Sequence, residues 1–197
     1  MFDFENKYAK QGFKLIAGMD EAGRGPLAGP VVCASCIMPL DDIIEGVNDS
    51  KKLSEKKRDF LYDQIIEKAI SFKVTFIDQK IIDEINILQA TKQGMEACIN
   101  TMYIKPDFVL VDAVKGLKID VPFEPIIHGD ALSYNIACAS ILAKVSRDRF
   151  MVEMDKEYPE YNFKQHKGYG TKQHIEKLKQ FGKCAIHRDS FIKNFVE

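Results

Sequence analysis

Residues 14–38, KLIAGMDEAGRGPLAGPVVCASCIM, decide the fold. The apolar stretches at 14–19 and 31–38 are typical of strands, and the segment 23–30 between them is rich in glycine and proline, which predicts a turn. Such a turn favours a second strand over a helix that follows directly. We therefore predict a β-hairpin at this point of the chain.

The glycines of this turn also match a nucleotide-binding pattern. Residues 23–28, GRGPLA, have the form G-x-G-x-x-A, which binds dinucleotides when it follows a strand and opens a helix. Here Pro26, Gly29 and Pro30 interrupt the pattern and an extended stretch follows, so we reject the dinucleotide fingerprint. The segment is then either a plain tight turn or a loop that brings backbone amides and Arg24 close to a ligand.

Helix and strand patterns alternate along the rest of the chain. Residues 53–69 have apolar side chains four apart, which predicts a helix, and Ser54 is a residue type that caps helices. Further helices are predicted at 90–103, 133–157 and 171–181, the last ending at Gly182. Strands are predicted at 71–77 and, buried on both faces, at 108–111. This alternation predicts an α/β fold.

The composition is that of one folded domain. The 197 residues, 46% of them hydrophobic, can bury a core without disulfides. No apolar run approaches the roughly 18 residues of a membrane span, and residues 1–13 mix acids and lysines, unlike a signal peptide. We expect a soluble, cytoplasmic protein that binds no membrane, with its cysteines as reduced thiols. Cys33 and Cys36 form a CxxC inside a predicted strand, where they point to opposite faces, which indicates core packing.

Charge is distributed unevenly along the chain. The whole sequence carries 28 basic and 29 acidic residues, whereas residues 164–188 contain seven lysines and arginines and one acid, Glu176. A basic end is typical of a protein that binds phosphates. The alternative is a solvated, lysine-rich helix.

Four acidic residues follow apolar stretches. Asp20 and Glu21 come directly after one strand pattern, Asp112 comes after another, and Asp130 comes shortly after a third apolar pair. In an open α/β sheet, sites form at the carboxyl ends of strands. We therefore expect the four carboxylates to converge, although a single aspartate at a strand end can also be a cap or turn residue.

Convergence of these acids would require cations. Neighbouring carboxylates repel each other and raise one another's pKa. Oxygen ligands favour Mg²⁺ or Mn²⁺, and two such ions about 4 Å apart suit in-line phosphoryl transfer. The four histidines lack the spacing of zinc ligands. The residues alone therefore predict metal-dependent phosphoryl transfer on a polyanion.

Two polar segments are candidates for substrate binding. Residues 48–52, NDSKK, place amide, hydroxyl and ammonium groups before a helix, where a phosphate can bind, although capping alone also explains part of the segment. Residues 164–171, KQHKGYGT, surround Tyr169 with glycines and bases. This tyrosine either stacks on a base or sugar or packs locally in its loop.

These segments, in this order, resemble the bacterial ribonuclease HII family, the type 2 ribonucleases H, over nearly the whole chain. The opening motif GMDEAGRGPLAGPVV at 18–32 and NDSKKL at 48–53 carry the resemblance first. The further matching motifs are LVD at 110–112, GD at 129–130 with Ser133, ASI at 139–141, AKV at 143–145, RD at 147–148, HKGYGT at 166–171, HR at 187–188 and SF at 190–191.

The resemblance implies a ribonuclease H-like mixed sheet flanked by helices, with a catalytic core at 1–157 and a basic, helical C-terminal region at 158–197 in the same structural unit. It implies an endonuclease that cuts the RNA strand of RNA/DNA hybrids and cuts 5′ of single ribonucleotides in duplex DNA. Two Mg²⁺ or Mn²⁺ ions would assist the hydrolysis, which leaves a 3′-hydroxyl and a 5′-phosphate.

The resemblance also assigns roles to residues. The catalytic metal ligands would be Asp20, Glu21, Asp112 and Asp130, with Asp20 bridging both ions. The substrate-binding residues would be Gly23, Arg24 and Gly25, which sense the 2′-hydroxyl, Tyr169, which stacks at the RNA-to-DNA junction, and Asn48, Lys51 and Ser133, which contact phosphates.

Two alternatives keep the same fold but change the function. One is a non-catalytic module that binds RNA/DNA hybrids, which the four acids argue against because a binder gains nothing from negative charge near phosphates. The other is a nuclease that ignores the ribose. We expect a monomer whose partner is nucleic acid.

Overall fold

A five-stranded mixed sheet organises the structure, a computed structural model that describes residues 1–195. The strands are β1 (Ile16–Ala22), β2 (Val31–Ile37), β3 (Ser71–Ile77), β4 (Phe108–Asp112) and β5 (Phe123–Ile126). Their order is β3-β2-β1-β4-β5. β2 is antiparallel to both of its neighbours, β1 and β3, whereas β1, β4 and β5 run parallel to one another. The carboxyl ends of these three parallel strands therefore lie at one edge of the sheet.

Helices cover both faces of this sheet. They are α1 (Asp3–Ala9), α2 (Glu55–Lys68), α3 (Gln79–Ile85), α4 (Ile87–Thr101), α5 (Gly129–Leu132), α6 (Tyr134–Glu157), α7 (Phe163–His166), α8 (Lys172–Phe181) and α9 (Asp189–Ile192). Short 3₁₀ turns occur at Ser50–Lys52 and Pro159–Tyr161. α6 and α2 pack on one face through a buried apolar cluster, and α4 packs on the other face through a second.

A glycine in β1 sets how closely α6 approaches the sheet. A Cβ atom on Gly18 would lie 2.0 Å from the backbone carbon of Asn135 at the start of α6, so any larger residue would push the helix away. Asn135 in turn donates a side-chain hydrogen bond of 2.7 Å to the carbonyl of Ile16. Because Gly18 is two residues before Asp20, this contact also fixes the strand that carries the first acidic residue.

The sequence predicted most of these elements. The hairpin is confirmed by the antiparallel pairing of β1 with β2, and β3 has the predicted bounds. The helix predicted at 53–69 is α2, and the Ser54 hydroxyl caps it by accepting from the Lys57 N–H. β1 runs to Ala22, three residues beyond its predicted end. The elements that were not predicted are at most seven residues long: the helices α1, α3, α5, α7 and α9 and the strand β5. β5 also carries Glu124 and Pro125 and lacks an apolar pattern.

The cysteines also behave as predicted. All five are unpaired, and Cys33 and Cys36 are fully buried in the clusters on opposite faces of the sheet. Their CxxC spacing therefore reflects core packing. Among residues 1–195, no helix is long and apolar enough to cross a membrane.

The C-terminal residues pack beside the turn of the hairpin, residues 23–30, which we call the hairpin loop. The Leu27 N–H donates to the Gly168 carbonyl at 2.8 Å, and the Arg188 N–H donates to the Leu27 carbonyl at 2.9 Å. The predicted C-terminal region ends at 197, and its last two residues lie outside the described range. Arg188, counted in the basic segment, is fully buried instead of facing solvent.

Candidate active site at the carboxyl ends of the parallel strands

Three of the four predicted acids converge tightly. Asp20 lies near the end of β1, Asp112 ends β4, and Asp130 lies in α5 just after β5. Each offers a carboxylate oxygen, and these three atoms all lie within 4.8 Å of one another. The parallel course of the three strands explains this convergence, because their carboxyl ends meet at the same edge.

Glu21 completes what we call the acidic cluster, which consists of Asp20, Glu21, Asp112 and Asp130. One of its oxygens, Oε1, lies 3.5 Å from the Arg24 guanidinium. The other, Oε2, is buried and has no hydrogen-bond partner in the described structure. A buried carboxylate oxygen without a partner is costly, so it indicates a position where a ligand belongs.

The electrostatics of the acidic cluster are unfavourable without cations. Burial, followed by the negative charges of Glu21 and Asp112, raises the pKa of Asp20 well above its usual range. Burial is also the main cause that raises the pKa of Glu21 and of Asp112. The Lys51 ammonium, 3.6 Å from Asp130 Oδ2, is largely exposed and compensates only part of this charge.

Backbone amides orient two of the carboxylates. The Glu21 N–H donates to Asp20 Oδ1 at 2.7 Å, and the Gly129 N–H donates to Asp112 Oδ1 at 2.7 Å. The second bond depends on His128, which has a φ of 57° in the left-handed region. Such a conformation costs an ordinary residue on the order of 1 kcal/mol, so the site is held in place at the expense of local strain.

The donor set of the cluster fits hard divalent cations. All candidate ligand atoms are carboxylate oxygens, which Mg²⁺ and Mn²⁺ prefer over softer metals. The raised pKa values and the unpartnered Glu21 oxygen both indicate missing positive charge. The four acids would therefore hold the ions.

A cleft of about 230 Å³ opens beside the acids. Its lining consists of Asp20, Glu21, Ala22, Gly23, Arg24, Gly25, Ser50, Lys51, Ser140, Lys144 and Tyr169. The structure thus brings most of the predicted substrate-binding residues together with two of the acids. Asn48 is exposed in the segment that leads to Lys51, and it is not part of this lining.

Ser133 lies elsewhere, in a position that differs from the expectation. It is fully buried. Its hydroxyl donates to Glu5 Oε1 at 2.6 Å and accepts from the Ile136 N–H at 3.2 Å, where it caps α6. Glu5 belongs to α1, which the sequence patterns missed. In this structure the Ser133 hydroxyl bonds inside the protein and the residue is not part of the cleft lining, so the phosphate contact predicted for Ser133 stays a prediction.

Two buried arginines hold the hairpin loop, and sequence reasoning missed their role. Arg188 donates to the carbonyls of Gly23, Arg24 and Gly29 at 2.6, 3.0 and 2.9 Å. The guanidiniums of Arg188 and of the second arginine, Arg147, are both fully buried.

The second arginine, Arg147, donates to the carbonyls of Pro30, Ala28 and Lys167 at 3.0, 3.0 and 2.9 Å. The available sequence signal for both arginines was their place in the matching motifs RD at 147–148 and HR at 187–188.

Solved structures share this fold. The ribonuclease H2 from Pyrococcus horikoshii superposes with a TM-score of 0.77 at 28% identity, covering 90% of this chain and 93% of that one. The ribonuclease HII in a PCNA complex from Archaeoglobus fulgidus gives a TM-score of 0.74 at 25% identity, covering 89% and 93%. The fold and the cluster of acids define a ribonuclease H-type nuclease.

Sequence comparison identifies the family. The sequence model described as Ribonuclease HII matches residues 17–194. The ribonuclease HII of Ruminiclostridium cellulolyticum is 55% identical over 197 residues, covering 100% of this chain and 77% of that one. That of Caldicellulosiruptor bescii is 53% identical, covering 99% and 95%.

The chain belongs to the ribonuclease HII family. It is a metal-dependent endonuclease, a hydrolase that acts on the RNA of RNA/DNA hybrids.

Proposed function

We propose that this enzyme also incises duplex DNA on the 5′ side of a single embedded ribonucleotide, leaving a 3′-hydroxyl and a 5′-phosphate. The observation that carries the proposal is the position of Asp20, which shares one cleft with the backbone of Gly23 to Gly25 and with Tyr169. A carboxylate that would hold a metal thus lies next to a loop with a glycine on either side of Arg24, and close approach of the glycine backbone suits the recognition of a ribose hydroxyl.

The acids would hold two ions, either Mg²⁺ or Mn²⁺. Asp20, Asp112 and Asp130 each offer an oxygen within 4.8 Å of the other two, and the resemblance to the family assigns to Asp20 the role of the ligand shared by both ions. When bound, the ions would activate the attacking water and neutralise charge on the leaving oxygen. A Bst-RNase HIII with the same fold has been solved in complex with Mn²⁺, which supports Mn²⁺ as one candidate.

The chain's own residues would bind and orient the substrate. The backbone of Gly23, Arg24 and Gly25 would contact the 2′-hydroxyl, and Arg188 holds it in place through the carbonyls of Gly23 and Arg24. Tyr169, whose side chain is exposed at the cleft, would stack at the junction between ribose and deoxyribose. Asn48 and Lys51 would contact phosphates. Because one chain supplies all these groups, we propose that it acts as a monomer.

Cleavage of an end-labelled DNA duplex with one ribonucleotide tests the proposal. The reaction is run with Mg²⁺, with Mn²⁺ and with chelator, beside an all-DNA duplex of the same sequence. We expect metal-dependent cutting immediately 5′ of the ribonucleotide and none of the all-DNA duplex. Equal cutting of both duplexes would show a nuclease that ignores the ribose, and tight binding without cutting would show a hybrid-binding module.

A further inference from the structure

Three buried histidines lie behind Tyr169, outside the acidic cluster. We call His166, His174 and His187 the histidine cluster. The rings of His166 and His174 stack at a centroid distance of 4.4 Å and an interplanar angle of 15°. His174 is fully buried and His187 is 3% exposed. None of the three histidines lines the cleft.

Each ring nitrogen in this cluster has a hydrogen-bond partner, and the partners fix the tautomers. His174 Nδ1 lies 2.9 Å from the carbonyl oxygen of Tyr169, which can only accept, so Nδ1 carries the proton. His187 Nδ1 accepts from the Cys184 backbone N–H at 2.9 Å, so the proton of a neutral His187 is on Nε2. The two Nε2 atoms are 3.1 Å apart.

These assignments give the chain of bonds one direction. His187 Nε2–H donates to His174 Nε2, and His174 Nδ1–H donates to Tyr169. Burial lowers the pKa of His174 to about 4 and that of His187 to about 4, which agrees with two neutral rings. Protonation of His174 would place two N–H groups face to face and break the chain.

The backbone around Tyr169 needs such an anchor. Lys167 has a φ of 52° and Gly168 a φ of 82°, so the chain enters the tyrosine through two left-handed residues. His166 contacts both sides of this turn, because its Nδ1 accepts from the Gly168 N–H at 3.2 Å and its carbonyl accepts from the Tyr169 N–H at 2.9 Å. His174 then holds the Tyr169 carbonyl.

We propose that His174, oriented by His187, is a positioning residue for Tyr169. It fixes the peptide from which the tyrosine ring reaches the cleft, and so it sets how well the enzyme holds its substrate. This inference rests on the proposed stacking role of Tyr169.

Two substitutions at one position separate the two bonds of His174. His174→Asn places an amide N–H near the position of Nδ1, so it can keep the hydrogen bond to the Tyr169 carbonyl while losing the bond to His187. The side-chain amide of His174→Gln reaches the position of Nε2, so it can keep the hydrogen bond to His187 while losing the bond to Tyr169. Both variants lose ring packing to a similar extent, which makes each the structural control of the other.

Steady-state kinetics on the single-ribonucleotide duplex and melting temperatures are measured for both variants, alone and combined with Tyr169→Ala. We expect His174→Gln to raise KM about tenfold with kcat changed less than about twofold, and His174→Asn to raise KM less than about threefold. In the Tyr169→Ala background the two should have equal KM values.

The role is overturned if the KM effects of the two variants are equal, or if the effect of His174→Gln persists without the tyrosine. No incision by the wild type would overturn this inference together with the proposed function, whereas failure of the inference alone appears only in the variants. If both variants fail to fold, NMR of ¹⁵N-labelled histidine in the wild type decides. A proton on His174 Nδ1 and on His187 Nε2 supports the role, and the opposite tautomers overturn it.

Discussion

The acidic cluster and the histidine cluster are both buried sets of titratable side chains, yet they are satisfied to different degrees. Every ring nitrogen of the three histidines has a partner within the chain. The acids repel each other, and an oxygen of Glu21 has no hydrogen-bond partner among residues 1–195. The histidine cluster is therefore complete as folded, whereas the acidic cluster requires ions from outside the chain. The difference matches the roles proposed for them, since the histidine cluster would position Tyr169 and the acidic cluster would hold the metal ions of the reaction.

Removing one carboxylate of the acidic cluster should give the largest effect on turnover, and it tests whether this cluster needs ions. We expect Asp20→Asn to lower kcat on the single-ribonucleotide duplex by on the order of 10³-fold or more, because it loses one of the carboxylates that would hold the ions. The metal-free protein should become more stable, since one buried like charge is gone. Cleavage kinetics and thermal melting in chelator measure both effects. A variant that retains full turnover would contradict the metal-ligand role of Asp20.

The buried arginines hold the hairpin loop, which follows Glu21 of the acidic cluster, and removing one of them should cost stability. Arg188→Gln leaves three loop carbonyls without their donors, so we expect a loss of about 3 kcal/mol in the free energy of unfolding. Lys183→Gln is the matched control, since that lysine is exposed and forms a surface ion pair with Asp189, and it should change stability by less than about 0.5 kcal/mol. Urea unfolding measures both. Equal losses would show that the guanidinium does not hold the hairpin loop.

The two clusters should respond to acid with opposite signs. In the folded chain burial lowers the pKa of His174 and of His187 to about 4, so the unfolded chain takes up protons first as the pH falls below 6.5. The pair therefore contributes stability above pH 6.5 that is lost between pH 6.5 and about 4, on the order of 2 kcal/mol for each histidine at pH 5. The raised pKa of Asp20 works the other way, because the folded chain takes up that proton first.

Melting temperatures between pH 7 and pH 4.5 in chelator separate these contributions. The melting temperature of His187→Gln should fall less steeply with decreasing pH than that of the wild type, because the substitution removes a group with a lowered pKa. The melting temperature of Asp20→Asn should fall more steeply, because the substitution removes a group with a raised pKa. Parallel curves for the three proteins would contradict the opposite signs.

The smallest effect is expected at the exposed lysine beside the acids. Lys51→Gln should raise KM about threefold and weaken its salt dependence, because one cation near a phosphate is lost. Stability should stay within about 0.5 kcal/mol of the wild type. The neighbouring exposed Lys52 does not line the cleft, and Lys52→Gln should leave KM unchanged. Equal KM values for the two variants would remove Lys51 from the substrate contacts.

The acidic cluster was predictable from sequence because its position follows from strand pattern. Asp20 and Asp112 end apolar strands, and parallel strands bring such ends together. The position of Ser133 was not predictable, because the helix α1 that buries it contributes a charged residue, Glu5, to the interior. The histidine cluster was not predictable either, since its three members are 8 and 13 residues apart and come from α7, from α8 and from the chain after α8, a spacing without periodicity.

Thermal melting with divalent ions tests the central claim, that the acidic cluster is completed from outside the chain. The wild type, Asp20→Asn and His174→Asn are melted in chelator and in Mn²⁺ or Mg²⁺ at constant ionic strength. At about tenfold above the dissociation constant, the ions should stabilise the wild type by about 1.4 kcal/mol, or roughly 3–5 °C. His174→Asn should show the same rise and Asp20→Asn a much smaller one. An equal rise in the wild type and Asp20→Asn, or none in the wild type, would contradict the claim.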